Sequence, residues 1–355
     1  MSPAKSSHGN FFEDFRLDQE FVHAVPRTVS TGDTALYSAL YGMRFPIQSS
    51  DAFATSVGLP CAPVDNLLLF HIVFGKTVPD ISLNAIANLG YADCRFLGQV
   101  YPGESVTARS RVIGLRENAN RKTGIVYVRS TGYDRNGRPV LTFVRWVMVA
   151  KRDIASPSAV ASVPELPRIV SADSLLIDDS IDLCGYNWDL AGSPHAFEDY
   201  RVGEKIDHVD GMTIEEAEHQ IATRLYQNTA KGHFDERLQR ESRFGRRIVY
   251  GGHIMSLARS LSFNGLGNAA FVAAINGGRH VNAATAGDTI YCWSEIVDRQ
   301  PVAGRTDLGA LRIRTTVTKD VPFMQVLESD GDDAAVILLE LDYWALLPAR
   351  HASYE

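Results

Sequence analysis

The chain has 355 residues, 45% of them hydrophobic, and a formal net charge of −7. That length suits two fused units of about 150 residues, and the composition is that of an ordinary globular protein. The acidic balance argues against general nucleic-acid binding, and no apolar run approaches the roughly 18 residues of a membrane span.

The start, Met1 to Asn10, is polar and lacks the apolar stretch of a signal peptide, so a cytoplasmic location is expected. The next residues introduce a repeat. Phe12-Glu13-Asp14-Phe15-Arg16-Leu17 returns as Phe197-Glu198-Asp199-Tyr200-Arg201-Val202. Glu13 to Arg95 spans 82 positions and Glu198 to Arg279 spans 81, and Trp146 and Trp344 each precede an arginine by six. Two long copies in register mean a duplicated domain. Copy one covers 11–152, a connector 153–195, and copy two 196–350.

Each copy opens with a short strand, 20–28 or 205–213. In copy two a helix follows, with Thr213 at the cap position and acids in the first turn. A Gly-punctuated loop leads to an apolar helix, Asn66 to Phe74 in copy one and His253 to Leu261 in copy two. These runs are apolar nearly all round, so both helices should be buried. β-branched strands follow at 105–115, 124–132 and 139–150, with Gly137-Arg138-Pro139 as a turn, and then at 288–297, 310–318 and 335–347. Asn264-Gly265-Leu266-Gly267 reads as a helix stop. The connector holds three prolines between Ser156 and Pro167 and should cross the surface between the copies. Cys61, Cys94, Cys184 and Cys292 form no CxxC pair and read as reduced thiols, with no metal site expected. The layout is α+β, a long antiparallel sheet around a buried helix in each copy.

The copies disagree where chemistry would sit. With His23 placed on His208, an offset of 185, Gln48 falls on His233, Met43 on Asn228 and Ser50 on Asp235. This is the pattern of one active half and one degenerate half. The helix start also differs. Copy two has Tyr250-Gly251-Gly252-His253, where glycine lets a ligand approach free amides. Copy one has Pro63-Val64-Asp65-Asn66, whose carboxylate would repel a developing oxyanion. Bland roles stand beside each of these: a structural histidine, a turn asparagine, a surface Asp235, tight-turn glycines.

The element order resembles the hot-dog fold, and the duplication resembles the double hot-dog of MaoC-like hydratases/dehydratases. The specific likeness lies in Gln227-Asn228-Thr229-Ala230-Lys231-Gly232-His233-Phe234-Asp235 and in Tyr250 to His253. It extends to Phe197-Glu198-Asp199-Tyr200 and, in copy one, to Thr31 to Tyr37 and Leu40 to Phe45. These segments resemble the mesaconyl-CoA hydratases (β-methylmalyl-CoA dehydratases) within that family. The resemblance implies a hydro-lyase acting on an enoyl-CoA thioester, mesaconyl-CoA (2-methylfumaryl-CoA) to β-methylmalyl-CoA.

R-specific hydratases of the family hold water between an aspartate and a histidine five apart. Here the pair is Asn228 and His233, and asparagine cannot exchange a proton near pH 7. His233 is then expected to transfer protons, with Asn228 and Asp235 positioning the water. The amides at Gly251 and Gly252 would hold the thioester oxygen. Arg44 is the candidate for a substrate carboxylate, and Arg243, Arg246 and Arg247 for the coenzyme A phosphates. Coenzyme A is part of the substrate, and no separate cofactor is expected. The fused copies already mimic a hot-dog dimer, and a homodimer of whole chains stays open. The rival readings are an R-specific hydratase for ordinary acyl chains, a thioesterase, and a non-catalytic acyl-CoA binding protein.

Overall fold

The computed structural model describes residues 5–157, 160–328 and 335–350. Copy one contributes strands β1 (Glu20–Thr28), β2 (Ala85–Phe96), β3 (Ser105–Glu117), β4 (Thr123–Tyr133) and β5 (Pro139–Ala150). Copy two contributes β6 (Lys205–Asp207), β7 (Met212–Thr213), β8 (Phe271–His280), β9 (Thr289–Pro301), β10 (Leu308–Lys319) and β11 (Ile337–Pro348). They form one antiparallel sheet in the order β1-β3-β4-β5-β2-β8-β11-β10-β9-β6, with β7 also on β9. Two five-strand halves of matching order therefore meet at β2 and β8, as a double hot-dog requires.

Four helices position the site: α1 (Thr31–Tyr41), α2 (Asn66–Thr77), α3 (Glu216–Leu225) and α4 (Gly251–Leu261). Ser30 and Asp33 cap α1 reciprocally, and Gly42 ends it at φ +61°. Every residue of α2 is buried, as is α4 from Gly252 to Leu261. Each half-sheet wraps its apolar helix, and the two halves share one large core.

The pseudo-twofold axis can be located from side chains that meet their own counterparts. Tyr41 and Tyr226 share a 2.7 Å hydroxyl–hydroxyl bond, and His71 bonds Ser256 at 3.0 Å. Both pairs are 185 residues apart, the offset read from the sequence. Tyr226 also crosses to Gly75 of α2, where a Cβ would lie only 1.9 Å from its carbonyl oxygen. Only glycine at 75 permits that approach.

The repeated Phe-Glu-Asp sequence is structural. In each copy it forms a single 3₁₀ turn that clamps the copy's last strand. Glu13 accepts from the Arg152 and Asp153 amides, and Asp14 pairs with the Arg152 side chain. Glu198 and Asp199 hold Arg350 in the same way. The phenylalanines lie flat on glycines, Phe12 on Gly124 and Phe197 on Gly309.

The structure departs from the sequence expectations in four places. Strands β2 and β8, which join the copies, were not anticipated. Ala-Asn-Leu-Gly and Ala-Ala-Ile-Asn-Gly-Gly carry little β-propensity and no alternation. The expected strand 205–213 is broken, because the Asp207 side chain takes the Val209 amide and Val209 adopts φ +65°. Helix α3 starts after Glu215, and Thr213 lies in β7. The connector does more than cross the surface. Val170, Ile181, Leu183 and Tyr186 enter a second core with Phe53, Phe271 and Trp344, and the Trp344 indole donates to the Val170 carbonyl at 2.9 Å.

The glycine–phenylalanine contact yields a stability prediction. A Cβ at residue 309 would sit 2.5 Å from the Phe197 ring, and overpacking of this kind costs about 1–3 kcal/mol. Gly309→Ala should lower the urea midpoint with an unchanged slope; an unaltered midpoint would refute the packing role.

Candidate active site

The site is assembled around the N-terminus of α4. A helix start leaves its first amides without intrahelical partners. The two central helices deal with this differently. In α2 the Asp65 carboxylate accepts from the Leu67 amide at 2.8 Å, so the chain supplies its own anion. In α4 the cap residue is Tyr250, which provides no side-chain acceptor. The Gly251 and Gly252 amides are thus open to an anion from outside, favoured further by the helix dipole.

Both glycines are required sterically. A Cβ at Gly251 would lie 2.3 Å from the His280 ring, and one at Gly252 would lie 2.5 Å from His71 and 2.3 Å from Tyr250. The glycine amides are therefore flanked by imidazoles from both copies. His71 comes from α2 and bonds Ser256 at 3.0 Å. His280 ends β8 and bonds the Tyr91 hydroxyl of β2 at 3.1 Å.

His233 lies in the short turn Lys231–Phe234, half-buried. Its Nδ1 is 2.9 Å from the Ile248 carbonyl. A carbonyl only accepts, so Nδ1 carries the proton and Nε2 keeps a lone pair. The Ile248 amide returns a bond to Gly232 at 3.2 Å. His233 is thereby anchored two residues ahead of the Tyr250 cap, with its ring 5.7 Å from the Tyr250 ring. Burial pushes its pKa down to about 4, and His219 adds to the effect, while the Ile248 bond opposes it. His233 is neutral at pH 7, as a proton acceptor must be.

Asn228, five residues earlier in the chain, is buried. Its side-chain oxygen accepts from the Ala230 amide at 3.0 Å and shapes the turn that carries His233. Asp235 is exposed, and its carboxylate caps the short helix Glu236–Gln239 through the Leu238 amide. At the position of His233 in copy one, Gln48 donates to the Ala270 carbonyl at 2.9 Å. Copy one's helix start opens instead on a cavity of about 290 Å³ that includes Asn66 and is walled by connector residues Leu176 to Asp179.

The sequence candidates for anion binding are not brought together. Arg44 is exposed and stacks on Phe263, its Cζ 4.5 Å from the ring centroid. Phe263 lies past the C-terminal end of α4, whose last residue Leu261 is already about 15 Å along the helix from Gly251 at 1.5 Å per residue. Arg243 is exposed and stacks on Phe244. Arg246 and Arg247 engage Glu216, and Arg247 also faces Glu236 at 3.3 Å. These last two lie beside His219, which also contacts Glu216, so they border the site.

Sequence reasoning missed most of the histidine cluster. His71 and His280 carry no motif: one is a lone histidine in an apolar helix, the other ends an unrecognised strand. His253 was read as part of the helix start. Its Nδ1 is 2.8 Å from the Tyr41 hydroxyl, and its buried Nε2 has no partner among the described residues. The available signal was the duplication: His71 falls opposite Ser256 at the 185 offset.

The geometry defines a double hot-dog protein with one equipped helix N-terminus and one self-capped one. The comparisons agree. A family model for mesaconyl-CoA hydratase matches residues 3–168. The chain is 58% identical to a beta-methylmalyl-CoA dehydratase of Chloroflexus aurantiacus, over 98% of this chain and 99% of that one. It is 54% identical to a mesaconyl-CoA hydratase of Cereibacter sphaeroides, over 97% and 99%. A crystal structure of a MaoC domain dehydratase from Chloroflexus aurantiacus superposes with a TM-score of 0.95 at 58% identity, covering 98% of this chain and 99% of that one. A Mycobacterium tuberculosis protein described as a double hot-dog follows at TM-score 0.79 and 26% identity, covering 96% and 99%. The chain belongs to the mesaconyl-CoA hydratase family of MaoC-like proteins.

The buried imidazoles predict an acid response. Burial lowers His71 and His253 to about 3, and His233 and His280 to about 4, against roughly 6.5 in an unfolded chain. Between about pH 6.5 and 4 the unfolded state binds more protons, so stability falls as pH is lowered through that window. Melting temperatures measured from pH 7.5 to 5 should drop below pH 6.5; a flat profile would contradict a neutral cluster.

Proposed function

We propose that the protein reversibly hydrates mesaconyl-CoA to β-methylmalyl-CoA. The observation that carries this is the pairing, in copy two alone, of an anchored neutral histidine with an uncapped Gly-Gly helix start. The names of the two relatives more than 50% identical over nearly their whole lengths support the substrate.

Addition of water to a 2-enoyl thioester places negative charge on the thioester oxygen as the C3–O bond forms. The Gly251 and Gly252 amides receive that oxygen, an electrostatic contribution that grows toward the transition state. His233 Nε2 takes a proton from the attacking water. The electron pair of the C2=C3 bond moves into the enolate, and the imidazolium then returns a proton to C2. One water is consumed and the histidine ends neutral. Asn228 fixes the turn that aims His233. Reversal of these steps gives the dehydration.

Arg246 and Arg247 at the rim suit a coenzyme A phosphate, although Glu216 and Glu236 hold Arg247 in competition. Coenzyme A belongs to the substrate, and none of these steps asks for another cofactor. No helix among the described residues is long and apolar enough to cross a membrane. Metabolism of a free CoA thioester fits a cytoplasmic enzyme.

The test follows loss of enoyl-thioester absorbance with mesaconyl-CoA and crotonyl-CoA, in wild type and His233→Ala. Turnover of mesaconyl-CoA with at least about a 100-fold loss in the variant is expected, the usual scale of general acid–base catalysis. Faster turnover of crotonyl-CoA would favour an ordinary R-specific hydratase. Binding without turnover would favour an acyl-CoA binding protein. A variant as active as wild type would remove His233 from the chemistry. The low histidine pKa adds a second expectation: kcat/KM for hydration should stay level from pH 8 to about 5. A decline beginning at pH 6.5 would mean an ordinary, solvated histidine.

A further inference from the structure

Two arginines are buried with Nε and Nη1 lacking partners among the described residues, Arg145 on β5 and Arg259 on α4. A desolvated guanidinium normally requires an anion nearby. Arg259 has one. The Asp65 carboxylate that caps α2 lies within its electrostatic reach. The self-capped site thus contains both an anion on the helix amides and a cation to balance it.

Arg145 stands at the other site, and no such anion lies beside it among the described residues. Among the described residues its titratable neighbours are the phenols Tyr91 and Tyr250, which burial keeps neutral. Nη2 donates to Thr77 at 2.8 Å and Ser82 at 3.2 Å, and the guanidinium lies 4.1 Å from the Phe74 ring centroid. The Phe74 ring is in turn 5.5 Å from that of Tyr250, the α4 cap residue. Arg145 pairs across the sheet with Tyr91, whose hydroxyl holds the His280 that packs on Gly251. In copy two the two partners are exchanged, with Tyr343 at the place of Arg145 by the tryptophan register and Arg259 at the place of Phe74 by the 185 offset, so each site keeps one buried arginine and they differ in the carboxylate beside it.

The mesaconyl group carries a carboxylate on C3, about 5 Å from its thioester oxygen by standard bond lengths. Its receptor must therefore lie near Gly252, a condition that Arg44, at the far end of α4, does not meet. We propose that Arg145, behind Tyr91 and Tyr250, receives the substrate's C4 carboxylate and so selects dicarboxylic thioesters. The inference rests on the hydratase reading above. Nε–H and Nη1–H lie on different edges of the planar guanidinium and Nη2 is held by Thr77 and Ser82, so the carboxylate accepts a bond from one of the two unpartnered donors, in a fixed direction that a lysine ammonium does not reproduce. In the bound state the substrate supplies to Arg145 what Asp65 supplies to Arg259.

The experiment compares mesaconyl-CoA with tiglyl-CoA, which has a methyl in place of the carboxylate. Arg145→Met should lower kcat/KM for mesaconyl-CoA by at least about 100-fold, the scale on which a site built for a polar group rejects a mismatch. Tiglyl-CoA should change less than threefold, roughly the effect of a small apolar repacking. Arg145→Lys should fall between wild type and the methionine variant. Removing a buried cation without an anion should not lower the melting temperature. Equal losses on both substrates, or undiminished mesaconyl-CoA turnover, would overturn the assignment. Should Arg145→Met fail to fold, the lysine variant decides by the same ratio. If wild type does not hydrate mesaconyl-CoA, the hydratase reading fails separately, and binding then judges Arg145. Calorimetry should show succinyl-CoA preferred over butyryl-CoA by wild type and not by the variants; no preference in wild type would overturn the proposal.

Discussion

A helix N-terminus needs an acceptor, and the two central helices of this protein obtain it from different sources. Asp65 satisfies α2 from within the chain. Tyr250 leaves α4 open, and the rest of the site follows from that difference. Glycines at 251 and 252 keep the amides approachable while imidazoles from both copies close around them. The turn that bears His233 is tied to Ile248, which leads directly into the same helix start. His233 and the open amides are consequently positioned by one short stretch of chain.

Duplication made this asymmetry affordable. A pair of identical units would carry two equivalent sites, each subject to the same stability constraints. With the units fused, copy one is free to cap its helix, fill the His233 position with Gln48 and let the connector pack nearby. It keeps contributing to the other site, through His71 of α2 and Tyr91 of β2. The pairs Tyr41–Tyr226 and His71–Ser256 sit on the axis and fix the two helices relative to each other. Gly75 allows the Tyr226 carbonyl to approach, which places the loop carrying Asn228. The open helix start thus lies in copy two while its walls belong to both.

Much of this was legible in the sequence because the chain provides its own comparison. The repeat located the copies, and the 185 offset singled out His233 against Gln48 and Gly252 against the Asp65 region. The buried helices were visible from their continuous apolar runs. Strands β2 and β8 were hidden by alanine and glycine, residues with little strand preference that the copy–copy junction tolerates. Arg44 looked suitable as an isolated cation near an aromatic motif, but α4 separates it from the amides by its whole length. His280 and Arg145 could not be read, since each acquires meaning only from neighbours on adjacent strands. The Phe-Glu-Asp repeat was conspicuous for a structural reason, the clamp on Arg152 and Arg350.

The central claim is that one of two pseudo-equivalent helix starts accepts a thioester and the other is closed by its own aspartate. Calorimetric titration of the intact protein with a non-reactive saturated acyl-CoA measures this directly. The account predicts one site per chain, lost when Gly252 is replaced by a bulky residue. Two sites per chain, or one that survives that replacement and vanishes on changing Asp65, would contradict it.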